Sequence, residues 1–524
     1  MKCSAILASL LLPAIASATD HIVVPGGSIQ LAIDAAAPGD RVLIQPGTYN
    51  ETIDLKGKAI EVLGVAGADH TQLVAEASQP AIKMWSGETA ATRVAGLRVI
   101  GGFHWLSYGG GISGTIDGTQ RATARIEDCV IQQCTASAGG GIAGDFEIVR
   151  CSIAQNNALG HPSFGPLSAG GAVWGNATLR GCRVWGNDTF GGPCGGLYVP
   201  DGSRPVVVED TVFYLNFDAF EPGGTGVGIY LDGAAQATIE RTLIVGCAGT
   251  GGLIELQEGV AVHAEPTASA TMTRCTVVQN SSSFHVGDVG GVWGPITLVN
   301  SVVRSNTSKE LGGGAVATFC NIEGGAPGVG NIDAEPLFVE YPIGDLDYHL
   351  TPESPCVDAG DPALLDADGT RSDIGAYELQ SLYVDRDFLL LSPLTKLAPA
   401  WEAVPAEIGG VHPLRIYLGP AHAGELYLVL GSISGTAPGT PFGGALLPLN
   451  PDTWFAFTLA DPNGAVTEAT LGVLDAAGRA EAQLQFPSFP LGLPATAWHA
   501  AVTFDLQALA VTAVTNAVPL ELLP

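Results

Sequence analysis

Apolar and polar residues alternate in short runs along much of this chain, as in Ala124-Arg125-Ile126-Glu127-Asp128-Cys129-Val130-Ile131 and Ala237-Thr238-Ile239-Glu240-Arg241-Thr242-Leu243-Ile244. β-Branched residues are abundant in these runs and no spacing of three and four recurs, so the pattern predicts strands. The strands repeat as a phrase. A Cys, Thr or Ser is followed five residues later by Asn or Cys at Cys129/Cys134, Cys151/Asn156, Cys182/Asn187, Thr211/Asn216, Thr242/Cys247, Cys275/Asn280 and Ser301/Asn306, with successive phrases 22 to 33 residues apart. Between them stand Gly139-Gly140-Gly141-Ile142, Gly170-Gly171-Ala172-Val173, Gly195-Gly196-Leu197, Gly290-Gly291-Val292 and Gly313-Gly314-Ala315-Val316.

Self-similarity at this period predicts a solenoid, each unit forming one coil that buries its apolar face against its neighbours. A strand repeated once per coil stacks on its copies as a parallel sheet at roughly 4.8 Å per coil, so like residues form columns. Cys, Thr and Ser are expected inside. Asn is expected at the bend, where its amide bonds exposed backbone groups and its backbone tolerates the left-handed conformation. Paired glycines are expected where a Cβ would crowd the next strand.

The phrases Ile153-Ala154-Gln155-Asn156, Val184-Trp185-Gly186-Asn187, Phe213-Tyr214-Leu215-Asn216 and Val277-Val278-Gln279-Asn280 resemble the repeats of the right-handed parallel β-helix superfamily, the pectin-lyase-like fold, over about residues 21 to 340. The resemblance implies an all-β fold and leaves function open, because that scaffold carries lyases, hydrolases, epimerases, adhesins and spacers. Further along, Asn331-Ile332-Asp333-Ala334-Glu335-Pro336-Leu337-Phe338, Ser354-Pro355-Cys356-Val357-Asp358-Ala359-Gly360 and Asp373-Ile374-Gly375-Ala376-Tyr377-Glu378 resemble the segment that closes secreted bacterial β-helices of the choice-of-anchor group.

Domain boundaries follow. Lys2, the apolar run from Ala5 to Ala16 and the exit Ala16-Ser17-Ala18 read as a signal peptide over residues 1–18, so the mature chain is expected to be exported. Residues 19–345 read as the β-helix, opened by a strand and a short helix with Ser28 as N-cap. Residues 346–380 are the closing segment, and 381–524, Cys-free and rich in proline, read as a smaller β-sandwich. Its expected strands include Leu414–Leu418, Glu425–Leu430, Thr453–Leu459, Thr470–Leu474, Ala480–Phe486 and Ala500–Phe504, with Asp475-Ala476-Ala477-Gly478 as a hairpin turn between the fourth and fifth. No later segment offers a long uncharged run, so no transmembrane segment is expected in the mature chain.

Charge narrows the partners. Fifty-two acidic against 22 basic residues leave a formal net charge of −30, which argues against nucleic acid and anionic membrane surfaces. Lyases for anionic polysaccharides need Arg and Lys, or calcium, near the scissile sugar; no such Lys/Arg cluster stands in the repeats, and the polygalacturonase motifs are missing. The cysteines share one slot with Thr211, Thr242 and Ser301, and parallel stacked side chains make poor disulfide geometry, so free packed thiols are expected.

The candidate chemistry lies in the loops after the Asn column, which would line one edge. They carry Phe164, Phe190, Phe220, Phe284, His161 and His285, while Trp174, Tyr230, His263 and Trp293 follow the Gly-Gly strands and alternate to the outside. Rings stack on sugar faces and carboxylates bond hydroxyls, so such a groove would suit a neutral or lightly charged polysaccharide; the competing reading is loop packing. If the chain is catalytic, Asp188, Asp218, Glu221 and Asp288 are the acid and base candidates, since glycoside hydrolysis needs two carboxylates a few ångströms apart. Asp366, Asp368 and Asp373 form part of a calcium-loop spacing, and calcium is the cofactor their oxygens would suit; otherwise Asp358, Asp361 and Asp373 are turn residues binding Arg371 or backbone amides. Three functions remain: an exported polysaccharide-binding protein, a polysaccharide lyase or glycosidase, and a structural surface protein or adhesin.

Overall fold

The computed structural model describes residues 18–159, 169–190, 192–218, 227–249, 260–282, 289–307, 309–338, 348–351, 353–366 and 370–377, then 382–384, 403–405, 410–418, 422–476, 478–486, 495–505, 510–515 and 517–523. The first part is a right-handed parallel β-helix. Its coils build four parallel sheets: sheet 1, from Asp20–Val23 to Val316–Thr318, has twelve strands; sheet 2, from Gly47–Asn50 to Asn321–Ile322, has eleven. Sheet 3 has seven strands, from Phe103–Tyr108 to Ser281–Ser282, and sheet 4 has ten, from Ile53–Asp54 to Leu311–Gly312. One coil therefore reads Arg125–Glu127, Val130–Gln132, Thr135–Ala138 and Ile142–Ala143 before sheet 1 resumes at Glu147–Val149.

Inward residues of sheets 1, 2 and 4 form one core, with Ile126, Ile131 and Ile142 of this coil at 0% exposure. The end of that core needs a cover. The helix Ile29–Ala35 supplies it by burying Ile29 and Ile33. Ser28 caps this helix as expected, its Oγ accepting from Leu31 N–H at 3.2 Å, and the Glu51 carboxylate takes the N–H groups of Ile29 and Gln30.

The expected columns are present, with one correction at the bends. The left-handed residue is the one before the Asn, as at Gln155 (φ 54°), Leu215 (φ 45°), Gln279 (φ 56°) and Ser305 (φ 56°). Asn156, Asn187, Asn216, Asn280 and Asn306 themselves point inward and are buried. Asn156 Nδ2 donates to Asn187 Oδ1 at 3.0 Å, Asn187 Nδ2 to Asn216 Oδ1 at 3.0 Å, and Asn280 Nδ2 to Asn306 Oδ1 at 2.9 Å. Each amide also reaches a backbone carbonyl on the preceding coil, for example Asn187 Nδ2 to Ile153 O at 2.8 Å. A non-glycine left-handed residue costs about 1–2 kcal/mol, and these bonds offset it coil by coil.

The Cys/Thr/Ser column has its own logic: the side chain of one coil accepts from the backbone N–H of the previous one. Cys129 N–H meets Cys151 Sγ at 3.4 Å, Cys182 N–H meets Thr211 Oγ1 at 3.3 Å, and Cys275 N–H meets Ser301 Oγ at 3.1 Å. Small size plus one acceptor is the requirement, so the three residue types interchange. All nine described cysteines are free and buried, and burial pushes the thiols of Cys134 up to about 12 and Cys182 up to about 11. Thiolate is the reactive form. Native protein is thus expected to leave these thiols unlabelled by an aromatic disulfide reagent at pH 8 and to release all of them on unfolding; labelling in the native state refutes the packing.

The glycine pairs lie where sheet 3 presses on the segment returning to sheet 4. A Cβ on Gly171 would sit 2.3 Å from the Asp188 carbonyl oxygen, which no side chain tolerates.

The closing segment is a strap along the outside of sheet 2. Tyr348, Leu350, Cys356 and Ile374 pack on Tyr214, Leu243, Val245, Val278 and Val302, and Ala376 N–H donates to Thr276 Oγ1 at 2.9 Å.

The C-terminal part is a β-sandwich. A four-stranded sheet (Leu382–Val384, Gly410–Tyr417, Arg479–Phe486, Thr467–Glu468) shares a core with a larger one containing Leu426–Ser432, Ala495–Asp505 and Val518–Leu523. Two expectations need correcting. Thr453–Leu459 is not a strand: Thr453–Ala460 is a helix, because Asp452 caps it by accepting from Phe455 N–H at 2.9 Å, and it covers the far face of the larger sheet. The turn at Asp475 forms, with Asp475 N–H to Arg479 O at 2.9 Å, but it passes the chain from one sheet to the other instead of closing a hairpin.

Candidate functional site

Two outward columns carry the candidate residues. On sheet 4 the register Trp174↔Tyr198↔Tyr230↔His263↔Trp293 completes the expected row with Tyr198, which the same Gly-Gly-apolar signal at Gly195-Gly196-Leu197 also marks. The rings turn their faces toward one another. Tyr198 and Tyr230 lie 5.4 Å apart at 15°, Tyr230 and His263 4.8 Å apart at 10°, and Trp174 meets Tyr108 at 4.6 Å. Trp174, Tyr198 and His263 are buried. The tyrosine hydroxyls donate to the Asp232 and Glu265 carboxylates of the following coils, and burial with these charges pushes both phenols far up. Stacked rings with tethered hydroxyls bind coil to coil.

The second column is the outer face of sheet 3, where Thr135, Asn157, Asp188, Phe217, Ala248 and Ser281 follow in register. Asp188 and Asn157 sit on adjacent strands, half-buried, and among the described residues neither Asn157 Oδ1 nor Asp188 Oδ1 has a hydrogen-bond partner. A buried acceptor without a donor costs roughly 1–3 kcal/mol. Burial raises the Asp188 carboxyl, with Thr189 N–H pulling against it. Phe190, directly after the Asp188–Thr189 strand with its N–H bonded to Ala158 O at 2.8 Å, is 47% exposed, and Phe217, beside Asp188 on the next strand, is 38% exposed. Unmet acceptors and exposed rings thus share one patch.

Asp218 stands in register with Thr189 and is fully buried, so it faces the opposite side of sheet 3 from Asp188 and beside the Cys194 thiol. Glu221, Asp288, Phe164, Phe220, Phe284, His161 and His285 lie outside the described residues. So does Asp368. Of its companions, Asp366 Oδ2 accepts from Asp373 N–H at 3.0 Å and Asp373 Oδ1 from Asp358 N–H at 2.8 Å, while Arg371 donates to the carbonyls of Ala359 and Gly360. Among the described residues no group of three or more His, Cys, Asp or Glu is arranged to hold a metal ion.

Several arginines are committed elsewhere. Arg41 pairs with Asp20, Arg150 with Asp128 and Arg241 with Asp210, each at 2.7 Å along the outer rim of sheet 1. Asn157 and Tyr198 escaped the sequence reading; Asn157 follows a column Asn and is visible only once sheet 3 is recognised as a separate strand.

Four stacked sheets, a buried Asn column and a patterned outer face define a parallel β-helix. Residues 107–258 match the family model described as "Right handed beta helix region", and with the coil geometry this supports a β-helix superfamily for the chain. None of the curated proteins and none of the solved structures matches it. No helix among the described residues is long and apolar enough to cross a membrane.

Proposed function

We propose that this protein engages an extracellular or cell-envelope polysaccharide by binding it along the outer face of sheet 3. The observation that carries the reading is the patch of Asn157, Asp188, Phe190 and Phe217, where two acceptor oxygens lack donors among the described residues and two rings stand exposed beside them. Sugar hydroxyls supply donors and sugar C–H faces cover rings. A coil rise of roughly 4.8 Å gives the column the run of an extended chain. The leader-like residues 1–18 support a location outside the cytoplasm, and the net charge of −30 supports a neutral glycan over a polyanion.

The test is a polysaccharide panel assayed for both binding and cleavage. Asp188→Ala and Phe217→Ala are each expected to weaken binding about tenfold while leaving the unfolding midpoint nearly unchanged, because the half-buried Asp188 carboxyl carries an unmet oxygen that offsets its Thr189 N–H bond and the Phe217 ring is exposed. Binding that survives both substitutions refutes the site. New reducing ends or unsaturated uronates would move the reading to a hydrolase or lyase, and neither binding nor cleavage to a structural surface protein.

A further inference from the structure

Beyond Ser281 the outer column of sheet 3 gains one more rung. Thr307 N–H donates to Asn280 O at 3.0 Å, the bond by which Ser281, Phe217 and Asp188 each take their places on the coil before. At this rung the surface opens into two adjoining cavities of about 610 Å³ each. The first is lined by Ser281, Ser305 and Thr307; the second by Lys309, Glu310 and the glycine-rich backbone from Gly312 to Gly314; Asn306 and Glu323 line both. Glu323 is exposed, its Oε2 accepts from Ser305 N–H at 2.6 Å, and it borders both cavities. The column of side chains thus runs into an open depression.

We propose that these joined cavities form a chain-end subsite that holds the terminal sugar of the polysaccharide lying on sheet 3. The inference rests on that reading for the class of ligand and adds what happens at the end of the track. Three facts favour a terminus over the middle of a chain. The coil stack ends here, since sheet 4 has its last strand at Leu311–Gly312 and sheet 1 at Val316–Thr318. The segment from Glu323 to Ile332 folds across that end, with Phe319 N–H bonded to Val329 O at 2.8 Å and Asn331 Nδ2 to Ala317 O at 2.8 Å, and its residues Gly324 to Pro327 border the second cavity. The lining carries the Glu323 carboxylate, the Lys309 side chain and the hydroxyls of Ser281, Ser305 and Thr307 beside apolar side chains such as Leu311 and Val316, a mixture that suits the free hydroxyls and C–H faces of a terminal sugar. The exposed Glu323 carboxylate at this rung disfavours a terminal uronate.

The experiment compares a linear neutral oligosaccharide, chosen from the panel as a binder, with the same chain carrying a bulky fluorophore on the reducing end, the non-reducing end or both. Affinity for the full-length protein is measured by calorimetry. One free end is expected to be required, with blockage of it weakening binding about tenfold, the worth of a charge-assisted hydrogen bond. Glu323→Gln is expected to lower affinity for the free chain to that of the blocked one and to leave the blocked chain unaffected. Thr307→Val, in the same lining, should act in the same direction. Equal affinity for free and doubly blocked chains overturns the subsite while leaving binding on sheet 3 standing. Loss of discrimination without any response to Asp188→Ala and Phe217→Ala overturns the sheet 3 reading, and the subsite with it.

Discussion

Replacing Asn187 by Ala is expected to destabilise the solenoid by about 3–5 kcal/mol, among the larger effects a single substitution produces. Asn187 is fully buried and takes part in five hydrogen bonds through its side chain. Its Nδ2 donates to Ile153 O at 2.8 Å, Trp185 O at 3.1 Å and Asn216 Oδ1 at 3.0 Å, and its Oδ1 accepts from Asn156 N–H and Asn156 Nδ2, both at 3.0 Å. Alanine leaves the Asn156 N–H buried with no acceptor and opens a hole between Asn156 and Asn216. Because each coil is stabilised by its neighbours, the break separates the coils on either side. Cys182→Thr in the adjacent column is the control. Thr fills that slot at Thr211 and Thr242 and keeps an acceptor, so its cost should stay below about 1.5 kcal/mol. Denaturant unfolding of both variants, followed by tryptophan fluorescence, decides the matter: a loss below about 1 kcal/mol for Asn187→Ala would show that the column is ornamental.

That column was legible in the sequence because its spacing is fixed by geometry. Five residues separate Cys151 from Asn156 and Cys182 from Asn187, since sheet 2 needs three residues and each bend one. The bend conformation was legible only in part. Gly181, Gly186, Gly246, Asp128, Asp210 and Asn300 fill the left-handed position with residues that favour it, whereas Gln155, Leu215, Arg241 and Ser305 accept it because the Asn and Cys/Thr side chains that follow hold the turn from inside. In the sandwich, Thr453–Ala460 shows local chemistry overriding composition. Trp454, Phe455, Phe457 and Thr458 favour strands, yet Asp452 at the N-cap nucleates a helix there, and four donors from Ser432, Ile433 and Ser434 hold its Oδ2 in place.

The candidate site divides along the same line. The outer row of Trp174, Tyr230 and Trp293 follows from alternation, but alternation says only which face a ring occupies. Stacking of Tyr198 on Tyr230 and of Tyr230 on His263 follows from the coil rise, which brings equivalent rings within stacking distance and leaves their edges outward. Asp188 was singled out with Asp218 as a carboxylate in one edge, whereas two-residue strands at Asp188–Thr189 and Phe217–Asp218 put them on opposite faces. A one-residue offset decides this, and loop composition carries no register.

Raising the pH from 5 to 8 is expected to weaken the C-terminal coils by about 3 kcal/mol through a single group, Glu310. Once Asn306 ends the amide column, the next acceptor is the Glu310 carboxyl, which takes Asn306 N–H at 3.1 Å and Asn306 Nδ2 at 2.6 Å. Burial, with the Glu323 charge adding to it, pushes this carboxyl up to about 7 from 4.5, against the pull of the Asn306 bonds and of Arg304. For an acid raised on folding, the stabilisation is complete below the unfolded value near 4.5 and is lost as pH rises through about 7, where the folded state must give up a proton the unfolded chain released earlier. Asp40 and Asp452, both held near 2 by the hydrogen bonds they accept, do not titrate in this window. His104 does, with the opposite sign, because burial lowers it and stability is lost as pH falls. Glu310→Gln separates the two. Its amide keeps one acceptor for Asn306 and sets a donor against the other N–H, so at pH 5 the variant should be less stable than the natural chain by about 1 kcal/mol. At pH 8 no charge is buried in it, and the order should reverse. The measurement is the pair of unfolding midpoints across pH 5 to 8; parallel curves for the two proteins would show that Glu310 is ionised in the fold throughout.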